Sequence, residues 1–301
     1  MNKTSIEWCK NPDGTQGYSW NPITGCLNGC KYCYARRLAN TRLKERYLAN
    51  PNIAIPANMK ARDIHDMSLE DQKSYGSLPF YPRFWPERLS CQFSYYGKKA
   101  QGIFVCDMSD LFGIGIPERW TEQVMQLIGA YPQHRFYLLT KQPQNLIKFA
   151  PFPDNCFVGV SVTDMPMLNT AINTLPFIKA KVKYLSFEPL LSWECPNPEL
   201  SFVFEDSGIK WVIIGALTSK SYSKLAATYP DNVDRIMKWG KSWTLQPKIE
   251  WVREIVSACD KASIPVFLKD SLKPLFVQCR QVPNIDWWGN CFGLRQEMPI
   301  D

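Results

Sequence analysis

Short apolar runs recur along the chain: GIFVCDM from Gly102, RFYLLTK from Arg135, CFVGVSVTD from Cys156, VKYLSFEPLL from Val182, KWVIIGA from Lys210 and IPVFLKD from Ile264. They are rich in β-branched and aromatic residues and lack strict apolar–polar alternation, so they predict strands buried on both faces. Between several of them, apolar residues return at helical spacing. Trp120, Val124, Leu127 and Ile128 do so within Glu118 to Tyr131, and Ile249, Val252, Ile255 and Val256 within Lys248 to Lys261. These stretches predict amphipathic helices. Strands alternating with helices imply right-handed βαβ units and a parallel sheet, open or closed into a barrel. A short strand near Tyr18 to Ile23 brings the total to about seven.

Several runs end in polar residues: Thr140 and Lys141, Ser161 to Asp164, and Glu188. In parallel α/β folds the carboxyl ends of the strands face the ligand. Ser161 and Thr163, two apart, point to one face and suit a pair of ribose hydroxyls, or else ordinary strand-end capping. Glu188 is a ligand contact or a carboxylate paired with a lysine or arginine. Two segments interrupt the repeat, near 50–101 and near 218–247, and the expectation is one domain over 1–301 with these as inserted lids or substrate loops. Within the first, Tyr81 to Trp85 with Arg83 and Arg88 is either a stacking surface for bases or a proline-rich loop packed on the domain. Trp287 and Trp288 are expected to close the barrel end.

Composition narrows the chemistry. The chain has 301 residues, 45% hydrophobic, enough for a large core. A net charge of +7 favours an anionic partner such as nucleic acid or a nucleotide. The start lacks the basic and apolar stretches of a signal peptide, and no run is long enough to span a bilayer, so the expectation is a cytoplasmic protein without a membrane partner. Only two histidines are present against eleven cysteines. Metal chemistry therefore falls to cysteine.

The stretch NPITGCLNGCKYCYARRLANTRLKERYL from Asn21 contains Cys26, Cys30 and Cys33 in the pattern C-x3-C-x2-C. Three thiolates so close can hold one 4Fe-4S cubane and leave its fourth iron open. Gly25, Asn28 and Gly29 tolerate positive φ, which lets the loop turn its N–H groups toward cluster sulfurs. The helix that follows is expected to begin near Lys31 or Tyr32, with Cys33 in its first turn. Its basic run, Arg36, Arg37, Arg42, Lys44 and Arg46, is a solvated face or an anion-binding edge. A competing reading of the cysteines is a structural zinc site with Cys9 as fourth ligand. Cys195, Cys279 and Cys291 share a late position that would suit an auxiliary cluster, and otherwise the remaining cysteines are core or surface thiols.

This spacing, with Tyr32 before the last cysteine, resembles the signature of the radical S-adenosylmethionine (SAM) superfamily. More narrowly, the chain resembles phage- and prophage-associated radical-SAM-like proteins through VCDMSDLFG, FYLLTKQP, VGVSVTD, LSFEPLL, WVIIGA and EWVREIVSAC, and more distantly spore photoproduct lyase through Cys-Tyr-Ala at Cys33. The resemblance implies a partial or near-complete parallel (β/α) barrel and a cluster whose open iron chelates SAM. It further implies cleavage of SAM to a 5′-deoxyadenosyl radical, with electrons from a reductant such as flavodoxin or ferredoxin. On this basis Asp107, Ser109, Lys141, Ser161 and Glu188 are expected to line the SAM pocket. No residue is marked as hydrogen donor. The substrate implied is a nucleic-acid component, to be modified or repaired; the alternative is a noncatalytic nucleic-acid-binding protein stapled by a cluster or zinc. Two departures stand out: Cys106 to Asp110 replaces the Gly-Gly-Glu-like element of many members, and Ala216 to Ser219 replaces a Gly-Glu-Ser-Gly-like turn.

Overall fold

The apolar runs become strands of a mostly parallel eight-stranded sheet in an α/β fold. The structure, a computed structural model, describes residues 1–54, 74–90, 99–194, 199–279 and 294–299. By compactness the chain divides into two units, Met1–Val158 and Gly159–Asp301.

The first unit runs through β1 (Asn2–Lys3), β2 (Tyr18–Trp20), β3 (Ile23–Thr24), α1 (Tyr34–Ala39), α2 (Lys44–Leu48), β4 (Arg83–Phe84), β5 (Gly102–Val105), α3 (Glu118–Ala130) and β6 (Arg135–Thr140). β1 is antiparallel to β2, while β2, β5 and β6 are parallel, with Tyr18 opposite Ile103 and Ile103 opposite Phe136. A short antiparallel ladder joins β3 to β4. Helix α3 buries Trp120, Thr121, Val124 and Ile128, the face its periodicity predicts, while Leu127 stays half-buried. Trp120 stacks on Phe84 at 5.2 Å, and Trp8 meets Phe104 and Tyr137 edge-on at 5.3 and 5.7 Å. Such aromatic pairs contribute about 0.5–1.5 kcal/mol each beyond the area they bury.

β7 (Cys156–Ser161) carries the chain into the second unit, which holds α4 (Met165–Thr174), β8 (Val182–Phe187), α5 (Leu200–Asp206), β9 (Ile209–Ile214), β10 (Leu217–Ser219), α6 (Tyr222–Thr228), β11 (Ile236–Trp239), β12 (Ser242–Leu245), α7 (Ile249–Lys261), β13 (Val266–Leu268) and α8 (Lys273–Cys279). β8, β9 and β13 are parallel neighbours, with Leu185 opposite Val212 and Val212 opposite Val266. Trp211 packs against Tyr184 and Phe267, and α7 closes over its buried stripe of Val252, Ile255, Val256 and Cys259.

The interruptions differ in kind. Residues 55–73 and 91–98 of the first lie outside the described residues, but its Tyr81–Trp85 portion is buried. Arg83 is 0% exposed, and its guanidinium donates to the carbonyl oxygens of Asn50, Gly76, Leu78 and Tyr81. A side chain consumed by four carbonyls does not offer itself to bases, so the packed-loop reading replaces the stacking surface. The second interruption contains a three-stranded antiparallel sheet in the order β10-β12-β11, with α6 between β10 and β11. Cys195, Cys291, Trp287 and Trp288 lie outside the described residues. Among the described residues no helix is long and apolar enough to cross a membrane.

Candidate metal centre

The cysteine loop begins where β3 ends. Gly25 has φ of +84°, and a Cβ there would stand 2.3 Å from the Tyr81 carbonyl oxygen. Only glycine satisfies both the conformation and the approach. Its N–H donates to the Met108 carbonyl at 2.9 Å, and the Cys26 N–H donates to that of Phe80 at 3.1 Å. Gly29, at φ of +74°, makes the second reversal.

Helix α1 starts at Tyr34, so Cys33 is its N-cap instead of a first-turn residue. The backbone of Cys33 is extended, and its Sγ accepts the Arg36 N–H at 3.3 Å, replacing the usual oxygen of a cap. The Asn28 N–H donates to Cys26 Sγ at 3.4 Å. Cys26, Cys30 and Cys33 are free and half-buried, whereas Cys9, Cys106, Cys156 and Cys259 are buried. Burial pushes the Cys26 thiol up to about 12; the charge of Asp110 and the neighbouring Cys30 and Cys33 add to the rise, and the Asn28 N–H opposes it. Cys30 and Cys33 thus both lie within electrostatic reach of Cys26.

The segment after β5 holds this loop. Cys106 adopts φ of +63°. The Asn21 amide then bonds two successive residues: Nδ2 donates to the Asp107 carboxylate, and Oδ1 accepts the Met108 N–H at 2.9 Å. Burial raises the Asp107 pKa, and the Asn21 bond counters it. Ser109 Oγ donates to the Gly25 carbonyl at 2.5 Å. Asp110, missing from the expected site residues, accepts N–H groups from Phe112, Lys141 and the Asn28 side chain. Lys141 Nζ lies 5.9 Å from the Tyr32 ring centroid, directly before Cys33. Asp107, Ser109 and Lys141 are thereby brought to the cysteine loop in the first unit.

Ser161 and Glu188 belong to the second unit. Ser161 closes β7 and is buried, and Thr163 Oγ1 is bonded to Asp164 and Met167. Glu188, just past β8, forms an ion pair with Lys269 beside Gly215, where a Cβ would stand 3.0 Å from the lysine. The buried Ser186 hydroxyl has no hydrogen-bond partner among the described residues.

Three thiols in one short loop have the donor chemistry of a cysteine-bound metal centre. A single zinc gathers its ligands around one point, whereas a cubane spreads its thiolates over separate irons. Among the described residues no group of three or more His, Cys, Asp or Glu side chains converges on one ion position. Cys9, the fourth ligand of the zinc reading, is instead fully buried with its thiol toward the carbonyls of Tyr18 and Gly102.

A family model described as "Protein of unknown function (DUF5131)" matches residues 3–274. No curated protein matches the chain. Among solved structures, a double mutant of spore photoproduct lyase with bound AdoMet and dinucleoside spore photoproduct is similar at a TM-score of 0.50 and 13% identity, covering 89% of this chain and 78% of that one. The lyase complexed with dinucleoside spore photoproduct gives 0.46 and 13%, covering 82% and 74%. At this identity the likeness concerns the fold.

Proposed function

We propose, for a chain that belongs to the DUF5131 family, a radical SAM reaction in which Cys26, Cys30 and Cys33 hold a 4Fe-4S cluster and SAM binds at its open iron. The observation that carries the reading is the set of free, half-buried thiols in one glycine-turned loop, with backbone N–H groups on two of the sulfurs. The fold's likeness to a structure that binds AdoMet supports it. A cluster held by these cysteines would supply one electron for cleavage of the SAM sulfonium to a 5′-deoxyadenosyl radical and methionine.

The chain's own residues bind and orient. We assign Lys141, beside Tyr32, to the SAM carboxylate and Asp107 to its amino group, with Ser109 bonded to the Gly25 carbonyl of the loop. Ser161 and Glu188 are assigned to ligand contacts of the second unit, with Lys269 holding the Glu188 carboxylate in place. The net charge of +7 favours an anionic substrate. We assign it to the nucleic-acid components, the class to which the dinucleoside of the similar structure belongs. Electrons come from a small reductant such as flavodoxin or ferredoxin.

The test is anaerobic reconstitution, with iron, sulfide and zinc content measured on the wild type and Cys30→Ala. About four irons, a reduced-cluster paramagnetic signal that changes with SAM, and 5′-deoxyadenosine formation with a strong reductant are expected. One tightly held zinc and no response to SAM would leave the noncatalytic binding protein as the better description.

A further inference from the structure

We infer that Asn28, Asp110 and Gln142 form a clamp that sets the Cys26 sulfur, making Asn28 a positioning residue inside the cysteine loop. The clamp is a feature of the side chains themselves; its effect on a cluster rests on the function proposed above.

Asn28 occupies the spacer between Cys26 and Cys30, and its amide is held at both ends. Nδ2 donates to Asp110 Oδ2 at 2.8 Å, and Oδ1 accepts from Gln142 Nε2 at 3.1 Å. Reversing the amide would set donor against donor and acceptor against carboxylate, so the orientation is determined by its partners. The Asn28 backbone N–H then reaches Cys26 Sγ at 3.4 Å. Fixing the side chain fixes the peptide that makes this bond.

Both jaws are anchored. Asp110 is 5% exposed, and it also accepts the Phe112 N–H at 3.1 Å and the Lys141 N–H at 2.9 Å. Gln142 donates its N–H to Thr140 Oγ1 and accepts from the Gln144 side chain at 2.7 Å. The segments after β5 and β6 are thus tied through Asp110 and Gln142 to the loop between two cysteines, 82 and 114 positions away in sequence.

Two opposing effects on a bound cluster follow. An N–H donated to a ligating sulfur withdraws electron density and raises the reduction potential, whereas a carboxylate charge nearby lowers it. The clamp maintains the first effect and contains the source of the second.

The experiment uses the full-length chain, reconstituted anaerobically, as wild type, Asn28→Ala, Gln142→Ala and Asp110→Asn. Iron is counted first, and the midpoint potential is then followed by the paramagnetic signal. Asn28→Ala and Gln142→Ala are expected to move the potential downward, the glutamine variant by less, and Asp110→Asn upward. A purely structural role would lower iron content without opposite shifts. Potentials equal to wild type in Asn28→Ala and Gln142→Ala, with iron retained, would overturn the clamp.

A second measurement needs no cluster. In the metal-free chain, the alkylation rate of Cys26 relative to Cys30 should change at least severalfold in Asn28→Ala and in Gln142→Ala, because the N–H on the Cys26 sulfur is no longer held in place; an unchanged ratio sinks the inference. If the wild type takes up no iron, the proposed function fails, and this ratio still decides the clamp.

Discussion

The Tyr34 phenol donates to the backbone carbonyl of Asp107 at 2.6 Å, tying the first residue of α1 to the segment that follows β5. One hydroxyl therefore links the helix launched by Cys33 to the strand end that holds the other side of the loop. Tyr34→Phe removes that hydroxyl link. Because the side chain is 48% exposed, the cost is expected at the low end of about 0.5–1.5 kcal/mol. Urea denaturation should register it, together with a slower rate of iron uptake.

The two loop glycines separate conformation from space. Both have positive φ, so alanine at either carries a left-handed strain of roughly 1–2 kcal/mol. At Gly29 a Cβ meets nothing within 4 Å, whereas at Gly25 it meets the Tyr81 backbone. Gly29→Ala should load iron nearly as wild type does, and Gly25→Ala should load little. Equal loading by the two variants would contradict the close packing of β3 and Tyr81.

The cysteines should separate by reactivity. Burial pushes the thiols of Cys9 and Cys156 up to about 12, so thiolate is scarce at mildly alkaline pH and access is blocked as well. Cys30 and Cys33, half-buried in the loop, should be alkylated first in metal-free protein. Mass spectrometry of timed iodoacetamide labelling checks the order, and reconstitution with iron should then protect the loop cysteines selectively.

Glu188→Gln replaces a carboxylate by a neutral amide in front of Lys269, whose side chain is only 14% exposed. A lysine left so enclosed without its counter-charge should destabilise the protein by about 1–3 kcal/mol. The double variant with Lys269→Met should recover part of the loss. Denaturation midpoints of the two singles and the double measure the coupling directly.

The predicted runs return as strands because a strand buried on both faces needs a continuous β-branched and aromatic stretch, as in VKYLSF and IKWVII, and few other structures use one. The cysteine loop was legible from spacing and glycines alone. What stayed hidden depends on pairings between distant positions. Nothing local marks Asp110 as the partner of Asn28, or Lys269 as that of Glu188. Arg83 shows the opposite failure: an arginine among aromatics suggests a surface, but four carbonyls inside the fold absorb it. The small sheet of β10, β11 and β12 escaped notice because its strands are only three or four residues long, too short to display an alternation.

The division between the two units falls within β7, after Val158 and before Gly159. Truncation at that division yields two fragments that each end in a severed strand, with unpaired backbone groups and apolar side chains open to self-association. The chain is thus poorly suited to piecewise expression.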